Sequence, residues 1–191
     1  MSRLAAGFLL MIGLESALFA QHSLQVAEGL QAKIEVMKKA EMEQVAGTRK
    51  RLEAAAVSEV ELESYVLFLL KDKIPARLDA VDFQLVNDVM TLSTQVTFGN
   101  NSTGYSALDW MVRGKHSLVV KGKLVGFNSK AQFDLESVRV DGVPVPTTLV
   151  EFLFNRYVKP IYPIAEVGKP FALPFGIDMV TLQPQKATVV Y

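Results

Sequence analysis

The chain has 191 residues, half of them hydrophobic and 21% charged, with a mean hydropathy of +0.23, which suits one domain with a sizeable core. Twenty basic residues balance twenty acidic ones, so no net positive field draws a phosphate backbone, and with no RNA-binding or zinc-finger pattern nucleic acid is not an expected partner. Cysteine is absent, which excludes disulfides, thiolate metal sites, a cysteine nucleophile and a lipid-modified N-terminal Cys.

The chain opens on "MSRLAAGFLLMIGLESALFAQ", in which Arg3 precedes an uncharged apolar run from Leu4 to Leu14 and then a stretch ending in small residues. This is the layout of a secretory signal over residues 1–20, with cleavage expected after Ala20 and a periplasmic or cell-envelope location. The apolar run is about half of the roughly 20 residues that a spanning helix needs, and Glu15 interrupts it. An uncleaved N-terminal anchor is the alternative reading.

Residues 21–53 form a spacer in which Ala27, Leu30, Ile34 and Met37 recur at helical spacing, so a short amphipathic helix is expected there, fading before Gly47. The domain proper takes residues 54–191. In "VSEVELESYVLFLLKDKIP", Ser58 and Glu61 make a capping box for a helix running to about Lys71 and stopped by Pro75. Tyr65 to Leu70 are apolar without a break, and on a helix they point in every direction, so this helix needs cover on more than one side.

Alternating segments follow. Phe83 and Leu85, then Met90, Leu92 and Thr94, share faces across a turn at Asn87 and Asp88. A second hairpin turns at Asn128 and Ser129, with Leu118, Val120, Gly122 and Leu124 on one strand. On its partner, Phe133 and Leu135 give way to Val138 and Val140, a change of parity at Ser137 that predicts a β-bulge. A second short helix, "TTLVEFLFNRYV", starts at Thr147 or Thr148 and stops at Pro160, and two last strands turn at Pro184 and Gln185. Seven of the eight prolines lie beyond residue 140, so short pinned elements are expected there. The pattern reads as α+β, with a curved antiparallel sheet wrapped on one or two apolar helices.

Catalytic signals are missing. There is no G-x-S-x-G, S-x-x-K or phosphate-binding glycine loop, and neither His22 nor His116 belongs to a metal-spaced pair. The chain therefore reads as a non-enzyme with no cofactor and no metal.

Three stretches taken in order carry a resemblance: "VSEVELESYVLFLL", then "FDLESVRVDGVPVP" with the Leu- and Phe-rich helix after it, then "FALPFGIDMVTLQPQKATVVY". Together, over roughly residues 55–191, they resemble small exported domains of the tubular lipid-binding (BPI-like) superfamily, and are similar to the lipomannan-elongation-factor-like periplasmic proteins. The resemblance implies a curved antiparallel sheet around a long helix, an apolar groove and no catalytic residues.

The expected function is to bind, carry or present a lipid or other apolar small molecule. Tyr65, Leu69, Phe152 and Tyr157 are the expected border of the site, and Phe171 and Phe175, in the proline-stiffened "PFALPFG", lie on the core or on the ligand. Arg113, Lys115, Lys121 and Lys123 form a candidate patch for acidic head groups at a membrane surface, a solvated strand face being the plainer reading. The alternative function is an envelope structural or assembly protein whose apolar helix faces dock a protein partner or a second copy.

Overall fold

A computed structural model describes residues 22–47, 52–74, 76–98, 114–160, 163 and 168–191. Residues 1–20 and Arg113 lie outside this set. Of Tyr157 only the backbone is described.

Turn chemistry sets the sheet. Asn87–Asp88, Asn128–Ser129 and Asp141–Gly142 all have positive φ at both positions, the conformation that two-residue hairpins require and that Asn, Asp and Gly tolerate best. They join β2 (Ala76–Val86) to β3 (Val89–Phe98), β4 (Gly114–Phe127) to β5 (Lys130–Val140), and β5 to the two-residue β6 (Val143–Pro144). Pro184–Gln185 likewise joins β8 (Met179–Gln183) to β9 (Lys186–Val190). The turns at Asn87–Asp88, Asn128–Ser129 and Pro184–Gln185 lie where the sequence places them.

Among the described residues nine strands form one open antiparallel sheet, ordered β1-β9-β8-β4-β3-β2, with β5 on the other edge of β4 and carrying β6 and β7 (Phe171–Ala172). The tip of the β2–β3 hairpin ties the two halves together: Asp88 N–H donates to Leu182 and its carbonyl accepts from Leu124. The expected bulge is present, since the β4–β5 register passes from Lys121↔Ser137 to Gly122↔Leu135 and leaves Glu136 over. A second one lies at Asp79 in β2.

Three short strands had no counterpart in the sequence reading: β1 (Ala54–Ser58), β6 and β7. β1 lacks polar-apolar alternation and owes its form to pairing with β9 at the far end of the chain. The third helix is capped by Pro146, without a side-chain bond, rather than by Thr147 or Thr148.

Helix α1 (Leu24–Val45) is longer than expected, at 22 residues. Ser23 accepts from Val26 N–H at its start, and Gly47, at φ 70°, follows its end. Its stripe docks as spaced, with Ala27, Leu30 and Met37 buried and Ile34 packed beside them. The proline-rich loop near the C-terminus explains part of that docking. Phe175 adopts φ 61°, an uncommon state for a bulky residue, and packs on the same cluster under the ammonium of Lys38, 5.4 Å from its ring centre. Glycine suits position 176, because at φ 65° a Cβ there would sit 3.2 Å from the Cα of Glu41 and α1 would have to give by a few tenths of an ångström.

Helix α2 (Glu59–Tyr65) begins with the expected capping box and widens into a π turn, Val66–Leu70. Helix α3 (Thr147–Leu153) does the same at Phe154–Val158. α2 and its π turn lie between α1 and β2, which cover the apolar run on two sides and leave Phe68 exposed at 36%.

Candidate functional site

The inner face of β2–β5 is read off the register. One row crosses the four strands as Phe83, Leu92, Val120 and Val138, and all four side chains face a cavity of about 430 Å³. The rows on either side end in packed clusters. Toward the hairpin turns, Leu85 closes with Leu182 and Ala187; toward the opposite end, Val96 and Val140 close with Leu149 of α3. The hollow therefore lies between two filled ends of one sheet.

The two π turns complete the wall symmetrically. Each contributes its first and last residue, Val66 and Leu70 from one, Phe154 and Val158 from the other. Side chains four apart stay close in angle on a helical turn, so both members of each pair can face one space. π turns recur at functional sites because the widened turn re-aims side chains. Val158 is also exposed to solvent, at 37%, so the wall reaches the surface at the α3 cover.

Among the described residues the wall is hydrocarbon apart from the Met90 thioether and the Thr94 hydroxyl, which donates to the carbonyl of Ala80 at 2.5 Å. The acceptor sits beside the Asp79 bulge, where the ladder is interrupted. Among the described wall residues no side chain is then left with a hydrogen-bond donor to offer a ligand. Gly122 shapes the floor: a Cβ there would collide with the ring of Phe133, itself a wall residue, and lie 2.8 Å from the Asp134 carbonyl.

Polar groups hold the α2 cover in place. β2 is an edge strand, and the outward N–H groups of Phe83 and Leu85 donate to Glu63 at 2.8 Å and Glu59 at 2.6 Å, one helical turn apart on α2. Glu63 is buried and also meets His22 Nε2 at 2.5 Å. Glu61 bonds Lys33 at 2.6 Å; burial pushes its carboxyl up, but the bonds from Lys33 and Ser58 outweigh this and hold it below its ordinary value. His116 serves a tie elsewhere, with Nδ1 2.7 Å from Asp141 in the β5–β6 turn. That bond, with the Ser117 N–H, depresses the Asp141 carboxyl. Among the described residues no group of three metal-ligating side chains occurs.

The residues singled out from sequence fall in several places. Tyr65 and Phe175 pack on the cluster beneath α1, Phe152 packs on the Leu149 cluster, and Leu69 and Phe171 are half-buried. Tyr65, Leu69 and Phe152 are each followed in the chain by a residue of the cavity wall, Val66, Leu70 and Leu153. Lys121 and Lys123 lie on the face of β4 turned away from the cavity, with Lys115 farther along the same face. Lys115 pairs with Asp79 at 2.9 Å and Lys121 with Glu136 at 2.8 Å, so both charges are compensated locally.

No helix among the described residues is long and apolar enough to cross a membrane. Comparison with known proteins returns no match: no family model, no curated protein and no solved structure is significantly similar to this chain.

Proposed function

We propose that the protein is a non-catalytic exported protein that binds, carries or presents a lipid or another apolar ligand in the cell envelope. The observation that supports this most is the composition of the cavity wall, which among the described residues carries one hydroxyl, already bonded to a backbone carbonyl. Acid-base or nucleophilic chemistry needs a polar group facing the reacting atoms, and a hydrocarbon chain needs only shape.

Size supports the same reading. About 430 Å³ falls within the roughly 300–1,000 Å³ typical of small-molecule sites. Left closed and empty, such a space would cost at most about 10 kcal/mol at ~24 cal/mol per Å³, comparable with a whole domain's net stability of about 5–15 kcal/mol. An apolar occupant removes that cost. The signal-like residues 1–20 support a function outside the cytoplasm, and an open antiparallel sheet with apolar helices accords with the BPI-like resemblance of residues 55–191.

A fluorescent naphthylamine probe that brightens in apolar surroundings tests the reading. The expected result is saturable binding of one probe per chain, displaced by a long-chain alcohol and lost in Val120→Phe and Leu135→Phe, which fill the cavity from its floor. Absence of saturable binding, or binding indifferent to both substitutions, contradicts it.

A second reading, an envelope assembly protein, draws on Leu24, Met42 and Val45, which α1 leaves exposed. It expects a stable oligomer in light scattering, where the carrier expects a monomer or weak dimer.

A further inference from the structure

Among the described residues the cavity wall offers no partner to a charge, so an ionised group drawn against them would stand uncompensated. Any ligand with such a group must keep it at the margin. Two short cationic stretches lie there. Lys71 and Lys73 fall between the wall residues Leu70 and Ile74, and Arg156 and Lys159 flank the wall residue Val158. All four are exposed, and none has a carboxylate within ion-pair distance among the described residues. Not every exposed lysine is placed in this way, since Lys33, Lys38, Lys115 and Lys121 all have carboxylate partners within 2.9 Å. Asp72 is the one acidic residue within residues 71–73 and 156–159, so four cations accompany one anion there, in a chain whose total charge is balanced.

We propose that the ligand is an anionic amphiphile with a single chain, its tail in the cavity and its carboxylate or phosphate outside, held by Lys71, Lys73, Arg156 and Lys159. This rests on the reading of the cavity as an apolar ligand site. It moves the head-group contact from the outer face of β4 to the ends of the two helical covers. It also gives the tail a fixed direction, with the free end toward the central row of Phe83, Leu92, Val120 and Val138.

Displacement of the naphthylamine probe by three ligands of equal chain length tests the inference: dodecanoate, dodecyl phosphate and dodecanol, at pH 8 and low salt. Both anions are expected to displace the probe at roughly fivefold lower concentration than the alcohol, as two or three exposed charge contacts provide, and salt should erode the difference. Replacing Lys71, Lys73, Arg156 and Lys159 together with Gln should abolish the preference and leave dodecanol unchanged. The pair Lys121→Gln and Lys123→Gln should leave all three ligands unchanged. A preference for only one anion also supports the proposal and identifies the head group. Equal displacement by anions and alcohol overturns it while leaving the apolar site intact, as does a preference that survives the fourfold substitution or vanishes with the Lys121 and Lys123 pair. If even dodecanol fails to displace a bound probe, or no probe binds, both readings fall.

Discussion

Near the hairpin turns, Leu85, Met90 and Leu124 close against Leu182 and Ala187, whereas farther along the same strands Phe83, Leu92, Val120 and Val138 face open space. Both regions are apolar: Leu, Met and Ala build the filled end, and Leu and Val with one aromatic, Phe83, build the row that faces the hollow. The difference lies in what covers them. The β8–β9 hairpin lies against the turns and fills the space between strands, while over the middle the covers are the ends of two helices that widen into π turns. A filled end gives the sheet its stability, and an unfilled middle is what a binding site requires.

Truncation should separate the regions most clearly. Leu85→Ala, at a site 1% exposed, is expected to cost about 2–5 kcal/mol in urea unfolding, as buried leucines do. Leu92→Ala, on the half-buried wall, is expected to cost roughly 1–2 kcal/mol, because part of its surface already lacks neighbours. Equal losses would erase the contrast. Between them in size falls Glu63→Ala, which leaves the Phe83 N–H without its acceptor and should cost about 1–3 kcal/mol.

Enlargement makes the reverse comparison. In a filled core, adding methylenes costs about 1–3 kcal/mol, but Val120→Phe should stay within about 1 kcal/mol of the parent, since the ring enters existing space. The smallest effect concerns acid. Because Glu61 is held below its ordinary value, its contribution to stability is full above about pH 4.5 and is lost as pH falls through the lower folded value. Glu61→Gln should remove this part of the acid dependence, well under about 1 kcal/mol, in urea midpoints compared between neutral and acid pH.

The inner face of the sheet can be followed in the sequence. The parity of Phe83, Leu85, Met90, Leu92 and Thr94, and of Leu118, Val120 and Gly122, places these residues on one face, and the slip at Ser137 carries the face onto Val138 and Val140 through a bulge. The turn residues fix the register, because each tolerates the φ that its hairpin demands. What a local pattern does not carry is the phase of a helix that changes winding. Tyr65 and Leu69 stand out by size and apolarity, yet the π turn directs Val66 and Leu70 into the hollow, and nothing in "YVLFLL" marks where α winding stops. Filled and hollow regions look alike in sequence for a related reason: Leu182 and Leu85 are far apart in the chain, and only their meeting distinguishes Leu85 from Phe83. β1 is the same case, a strand made by its pairing with β9.

Native mass spectrometry of the protein purified from cells without detergent, followed by solvent extraction of anything bound, tests the central claim most directly. The account predicts one apolar-chain molecule per protein, absent from Val120→Phe prepared in the same way. A bare parent protein that stays bare after incubation with membrane lipid extracts would contradict it.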